Sequence, residues 1–139
     1  MTLSFGVGLQ AAVHARLVSD AALAALIGAA VYDAPPDPAR VARLAHVTLG
    51  EERVRPFDTK TSSGAEHDFA VTVHSGEDGF ATAKRIAAAV CAALVDAPLS
   101  LAHGKLVSIS FRRATAERAA APEKRRVSLM FRAIIDQDA

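Results

Sequence analysis

The sequence has 139 residues, the length of a typical single domain, and we expect residues 1–139 to fold as one domain. Hydrophobic residues make up 51% of it, much of that is alanine, and tryptophan is absent, which predicts small-residue helices packed closely on a sheet. A formal net charge of +1 does not indicate a protein that binds nucleic acid or membranes through its overall charge. The single cysteine, Cys91, cannot form an internal disulfide, and we expect a soluble protein of a reducing cytoplasm.

Two helices are predicted at the start of the chain. Apolar residues recur at helical spacing within Val7–Val18, which predicts the first helix there. Asp20 is a candidate N-cap for a second, short helix, and Gly28 is a suitable residue to end it. The apolar run Ala21–Tyr32 contains that glycine and is too short to span a bilayer, so we expect no membrane insertion.

The next part of the chain is rich in loop signals. Three prolines within Ala34–Pro38 predict an extended loop, because proline fits neither a helix interior nor a central strand. We predict a short helical turn at Arg40–Leu44 and a short strand at His46–Leu49. The stretch Gly50–Ala65 is polar and turn-rich, and it predicts a long mobile loop or hairpin arm.

More regular elements follow. Glu66–Ser75 alternates apolar and polar residues, which is typical of a half-buried strand. An apolar stripe at helical spacing predicts an amphipathic helix over Phe80–Val95. Alternation predicts two further strands, Leu106–Arg113 and Arg126–Ile135, joined by a long, exposed hairpin connection at Thr115–Lys124.

The resulting order of elements is α-(α)-β-β-α-β-β. It predicts an α+β fold in which a mostly antiparallel sheet carries helices on one face. In the strand that begins at Leu106, the alternation predicts that Val107, Ile109 and Phe111 share one face.

No arrangement of catalytic or metal-binding residues stands out. Glu51 and Glu52 are adjacent and would diverge in an extended chain, and no Gly-x-Ser-x-Gly nucleophile motif is present. No pair of histidines has the helical i,i+4 spacing of a zinc motif, so we expect surface or hydrogen-bonded histidines. The five are His14, His46, His67, His74 and His103. We therefore expect no enzyme activity, no cofactor and no metal.

Basic residues form two local clusters in the predicted loops and hairpin. Three lie in the first long loop and six flank the last hairpin, at 112, 113, 118, 124, 125 and 126, and six of these nine are the candidate interface or channel residues. They are Arg53, Arg55 and Lys60, then Arg112, Arg113 and Arg118. Three interpretations stay open: solvated loop charge, a polar interface between subunits, or a rim that faces DNA.

Several short stretches carry a resemblance to a known family in one order along nearly the whole chain. They are Leu9–Ala12 with Leu17 and Asp20, Val31–Pro36, Val47–Gly50, Thr59–Thr61 with Gly64–His67, Val73–Ser75, Ala81–Leu94, Asp96–Leu99 and Phe131–Ala133. With these stretches the sequence resembles the phage tail-terminator and tail-completion proteins of the DUF3168 family, which include those of gene transfer agents.

The resemblance implies a structural subunit with no catalytic residues. It implies a homo-oligomeric ring, commonly a hexamer, that caps the tail tube, stops its growth and joins the tail to the head connector. The implied partners are the tail tube protein, the connector or stopper protein, and double-stranded DNA that passes through the channel without sequence-specific binding. Assembly would take place in the host bacterial cytoplasm, and the mature position would be the neck end of the tail.

Three alternative functions stay open at this point. A head–tail connector or stopper protein is closely related, and the sequence hardly separates it from a terminator. A small enzyme would need a perturbed titratable pair in a cleft. A nucleic-acid-binding module would show salt-dependent DNA binding.

Overall fold

The computed structural model describes residues 2–33, 45–56, 63–76, 79–102, 104–119 and 125–136, and for residues 2–6 it describes only the backbone. These ranges contain helices α1 (Thr2–Ser19), α2 (Ala21–Ile27) and α3 (Ala81–Leu94) and strands β1 (Val31–Tyr32), β2 (His46–Pro56), β3 (Gly64–Ser75), β4 (Lys105–Arg118) and β5 (Arg125–Asp136). The predicted α+β class and order are confirmed, with β1 as an additional two-residue strand. The predicted loop at Ala34–Pro38 and the turn at Arg40–Leu44 lie outside the described residues.

The five strands form one sheet in the order β1-β2-β3-β5-β4. β1 runs parallel to β2, and every other pair of neighbours is antiparallel. The β2–β3 hairpin and the β4–β5 hairpin close at opposite ends of the sheet, because the first residue of β3 pairs with the last residue of β5. The sheet therefore presents one hairpin at each end.

One face of the sheet carries the helices and holds the core. From β3 and β5 this face buries residues of one alternating set: Phe69, Val71, Val73, Val127, Leu129, Phe131, Ala133 and Ile135. Helix α1 packs on it with Leu9, Val13 and Leu17, and helix α3 packs on it with Ile86, Val90 and Leu94. The opposite set of side chains on β3 and β5, which includes Glu66, Asp68 and Arg132, is only partly buried apart from Glu66, which is buried. We call that second surface the open face.

The ends of the short helix follow the predicted capping chemistry. The Asp20 carboxylate accepts a hydrogen bond from the backbone N–H of Leu23 at 2.9 Å, which satisfies one of the free donors at the start of α2. Gly28 ends α2 with a φ of 64°, a left-handed conformation that glycine adopts without steric cost. Helix α1 starts at Thr2, before the predicted Val7, since the glycines near its start weaken a helix without forbidding it.

Of the two alternatives predicted for Gly50–Ala65, the mobile loop is wrong over the described residues, and the hairpin arm agrees with the structure. Strand β2 continues to Pro56, β3 begins at Gly64, and the two pair up to Pro56 and Ala65. A register shift between Leu49 and Glu52 marks a β-bulge, which interrupts the alternation that would have revealed the strand. Residues 57–62 lie outside the described part of the chain.

The predicted connection at Thr115–Lys124 is wrong in its first half, since β4 continues to Arg118. The side chains of this extension are exposed, so its sequence shows no apolar alternation. Val107 does not share a face with Ile109, because a bulge between Leu106 and Ser108 shifts the register. As a result Val107 is 60% exposed while Ile109 is fully buried.

The core assignment can be tested by truncating a buried leucine of α3. Leu94 is fully buried, and Leu94→Ala is expected to lower the free energy of unfolding by about 2–5 kcal/mol, because the missing methyl groups leave a cavity. Leu26→Ala on α2 is the matched control, since that side chain is 38% exposed and its truncation should cost less than about 1 kcal/mol. Denaturant unfolding of both variants measures the difference, and equal losses of stability would contradict the assignment.

Candidate functional site

The open face carries charged side chains in rows that cross the strands. Arg53 of β2 lies opposite Asp68 of β3, and Asp68 lies opposite Arg132 of β5. In the next row Arg55 of β2 lies opposite Glu66 of β3. Opposite charges therefore alternate across three neighbouring strands, an arrangement in which directly facing side chains attract one another.

Two arginines and two carboxylates of these rows form a connected network. Arg132 binds Asp68 with both ends of its guanidinium, from Nε to Oδ1 at 2.8 Å and from Nη2 to Oδ2 at 3.2 Å. Arg132 Nε also contacts Glu66 Oε1. Arg55 Nε donates to Glu66 Oε2 at 2.8 Å. Bidentate, charge-assisted hydrogen bonds of this kind fix the orientation of the guanidinium planes against the sheet.

The network stabilises the charged form of each member. The hydrogen bond from Arg55 lowers the pKa of Glu66, and the hydrogen bond from Arg132 lowers the pKa of Asp68. The same hydrogen bonds raise the pKa of both arginines above its ordinary value. All four groups are consequently charged at neutral pH, and neither carboxylate is suited to act as a general acid or base there.

A shallow cavity of about 390 Å³ lies on the open face beside this network. Its lining is rich in arginine: Glu51, Arg53, Asp68, Arg112, Arg113, Met130, Phe131 and Arg132. Within the described part of the chain, Arg53, Arg112 and Arg113 form no ion pair. The cavity therefore places the ion-paired network beside three arginines that form no ion pair with a described carboxylate, which suits an anionic or polar partner.

The structure brings four of the six candidate residues together. Arg53 and Arg55 come from the first predicted loop and Arg112 and Arg113 from the end of a predicted strand, yet all four lie near the carboxylates of β3: Arg55 beside Glu66, and the other three around the cavity that Asp68 lines. Arg118 lies apart from them, at the end of β4 and opposite Arg125. Lys60 lies outside the described residues.

Glu66, Asp68 and Arg132 were not predicted as members of the site. Alternation in β3 already assigned Asp68 to the face away from the core, and the same alternation in β5 applies to Arg132. What the sequence lacked was the register between β3 and β5, which places those two residues side by side. The alternation within a strand decides which face each residue takes, but β3 and β5 are not joined by a turn that would decide which of their residues lie opposite one another.

Histidines contribute no catalytic arrangement to either face within the described ranges. His67 is fully buried on the core face and neither ring nitrogen has a hydrogen-bond partner there, so the prediction of surface or hydrogen-bonded histidines is wrong at this position. Its Nδ1 lies 3.7 Å from Glu52 Oε1. On the open face the ring of His74 stacks on that of His46 at 4.4 Å and shares a hydrogen bond of 2.8 Å with Thr48 Oγ1. His67 and His74 are seven residues apart on β3, so one lies on the core face and the other on the open face.

Three further features bear on the class of protein. In the described ranges no three His, Cys, Asp or Glu side chains are grouped so as to hold a metal ion. None of the helices seen there is long and apolar enough to cross a membrane. Cys91 is partly buried on α3, and that burial raises the pKa of its thiol, which disfavours the reactive thiolate.

Both the sequence and the fold of this chain match known proteins. The family of tail completion protein gp17 matches residues 11–136, and the chain belongs to this family. Among solved structures, a chain of the virion of a native gene transfer agent (GTA) particle matches with a TM-score of 0.85 and 49% sequence identity. The match covers 95% of this chain and 97% of that one. No curated protein matches the sequence.

These findings confirm the predicted resemblance to tail-completion proteins. The DUF3168 name and the more specific role of terminator stay predictions. Tail completion proteins are structural proteins. The site described above agrees with such a role, because its charged side chains bind one another in ion pairs and do not present a nucleophile or a general base.

The ion-pair network can be tested through its pH dependence. Arg132→Met removes the ion pairs to Asp68 and Glu66, so the variant should melt below the wild-type protein at pH 7. Because the folded pKa values of both carboxylates are lowered, the network stabilises the fold above their unfolded pKa values, about 4. The difference in Tm should shrink as the pH falls below about 4 and the carboxylates become protonated.

The matched control for this experiment is Arg113→Met. Arg113 lies on the same open face but forms no ion pair with the described residues, so its replacement should leave Tm nearly unchanged at every pH. A Tm difference for Arg132→Met that is the same at pH 7 and pH 3 would show that poorer packing, and not the missing charge, is responsible.

Proposed function

We propose that this protein is a non-enzymatic tail terminator of a phage-like particle. It forms a ring that caps the tail tube, ends tube growth and joins the tail to the head connector. The observation that carries this proposal is the match, at 49% identity and over 95% of the chain, to a chain of a gene transfer agent virion. Membership of a tail completion family supports the same role.

The role has a physical basis in how tubes grow. A tube built from stacked identical rings has contacts that run head to tail and never close along the axis, so growth needs a separate protein to stop it. That protein must bind the last ring and offer the next ring no matching surface. This chain has a hairpin at each end of its sheet, and the two hairpins differ in sequence. Such a subunit can contact the tail tube protein at one end and the connector or stopper protein at the other.

The open face is our proposed lining of the DNA channel. A ring, which we propose to contain six copies, would direct one surface of each subunit inward. The open face carries Arg53, Arg112 and Arg113, which have no ion-pair partner among the described residues. Among the described residues, these arginines are spread over a sheet, with no aromatic platform and no helix beside them that could enter a groove of DNA. Such an arrangement suits passing contacts to phosphates and not the recognition of bases.

Deletion of the gene provides the direct test. A producer strain without it should make heads and tails in the bacterial cytoplasm that fail to join, with tails of irregular or excessive length in electron micrographs. Restoring the gene on a plasmid is the control and should restore joined tails of uniform length. Joined particles of normal length would overturn the proposal. Tails of normal length that fail to join would assign the chain to the connector or stopper position instead.

DNA contact by the open face can be tested on the isolated chain. A short duplex should bind weakly, without sequence preference, and with an affinity that falls as salt rises, because arginines displace counterions from phosphates. Replacing Arg53, Arg112 and Arg113 together by Gln should weaken binding and reduce the salt slope by about one for each arginine that binds a phosphate in the wild-type complex. Arg118→Gln is the control, since it lies away from the cavity. Binding unchanged by the triple replacement would contradict the assignment.

A further inference from the structure

The cavity on the open face is lined by acidic side chains as well as by arginines. Its charged lining residues are Arg53, Arg112, Arg113 and Arg132, together with Glu51 and Asp68. The four arginines outnumber the two acids, so the cavity carries a formal excess of two positive charges. A surface that served only to hold a polyanion would bind it more tightly without these acids, because each carboxylate repels a phosphate that comes close.

Asp68 acts on arginines of three different strands. Its carboxylate accepts hydrogen bonds of 2.8 and 3.2 Å from Arg132 of β5. That hydrogen bonding lowers the pKa of Asp68 most strongly, and the positive charges of Arg55 on β2 and Arg112 on β4 lower it further. Electrostatic attraction is mutual, so the negative charge of Asp68 reduces the attraction that the same arginines exert on any other anion.

The same pairing occupies the guanidinium of Arg132. To bind it in the same way, a phosphate would have to displace Asp68 and leave a partly buried carboxylate without its cation, which is unfavourable. Asp68 belongs to the same chain and is already in place, whereas DNA loses translational and rotational freedom when it binds. The competition for Arg132 therefore favours Asp68 over a phosphate.

Glu51 brings the second negative charge to the cavity. Gly50 and Glu51 of β2 lie between two residue pairs that enclose only Ala70 on β3, so they form the β-bulge of that strand. A bulge adds a residue and redirects the side chains beside it. Glu51 is exposed, lines the cavity and forms no ion pair with the described residues. Its charge therefore adds to the repulsion of a phosphate.

We infer that Glu51 and Asp68 limit how tightly the open face holds DNA. The inference rests on the proposed contact between this face and DNA, and it adds the residues that keep the contact weak. The arginines that form no described ion pair attract phosphates, while the two acids lower the local positive charge and Asp68 withholds Arg132. In a ring several copies act on one duplex, so a modest gain in affinity at each copy would hold the DNA strongly.

The test is the binding of a short DNA duplex to the isolated full chain at several salt concentrations. Asp68→Asn and Glu51→Gln each remove one negative charge with little change in shape. Each variant should bind the duplex roughly two- to tenfold more tightly than the wild type at low salt, because one repulsive charge near the phosphates is gone. Asp68→Asn should also steepen the dependence of log K on log salt by about 0.9, since Arg132 becomes able to contact a phosphate.

Glu117→Gln is the matched control for net charge. It removes one negative charge from the same face, at the 3.5 Å ion pair with Arg126, which lies about 20 Å along β5 from Arg132. Its affinity for DNA should rise less than that of either cavity variant, and its salt dependence should match the wild type. Thermal melting by circular dichroism shows that each chain is folded, and the exposed Glu51 provides a folded variant if Asp68→Asn melts too low.

A folded cavity variant that binds DNA no more tightly than the wild type would overturn the inference. An equal gain for Glu117→Gln would also overturn it, because the response would then depend on net charge alone. In both cases, weaker binding by the chain in which Arg53, Arg112 and Arg113 are replaced would still support the proposed DNA contact. Absence of salt-dependent DNA binding by the wild type and by both cavity variants would overturn that contact, and the inference with it.

Discussion

Twelve consecutive residue pairs join β3 to β5 without a bulge, from Gly64 opposite Asp136 to Ser75 opposite Arg125. Side chains alternate between the faces of a sheet, so this uninterrupted register decides which residues enter the core and which form the open face. A slip of β5 by one residue would turn Phe131, which stacks on Phe69 at 5.6 Å, out of the core and would turn Arg132 into it. The apolar core and the charged network are therefore two consequences of one pairing.

The flanking strands depart from this regularity, and they mark the limit of what the sequence could predict. Strands β3 and β5 and helix α3 were predictable because one face of each is apolar and the periodicity is unbroken. In β2 the bulge at Leu49–Glu52 interrupts the alternation, and the residues beyond it are mostly exposed, so the strand resembled a loop. In β4 the same two causes hid the extension to Arg118 and misplaced Val107.

The sequence predicted the basic residues of the candidate site but not the carboxylates that pair with them. Arg53, Arg55, Arg112 and Arg113 stood out because basic residues cluster locally in the sequence, and the structure brings them together on one surface. Their carboxylate partners were hidden, because Glu66 and Asp68 belong to a strand that the sequence identified for its apolar face. A charge pattern along the chain shows where cations are, whereas pairing across the sheet decides which of them are neutralised.

The three kinds of surface on this small domain differ in chemistry, and the difference follows from strand geometry. The open face is charged because its residues alternate with core residues and face solvent. The β4 edge carries the exposed Val107, since a bulge in β4 directs that side chain out of the regular pattern. The ends carry hairpins of different sequence. In the ring that we propose, a subunit must hold its neighbours, distinguish the partners above and below, and let DNA pass without retaining it. This chain keeps an apolar edge, dissimilar ends and a mostly neutralised face on separate surfaces, so one surface need not meet all of these demands. Apolar contacts can be tight, whereas exposed contacts to phosphates stay weak because salt screens them.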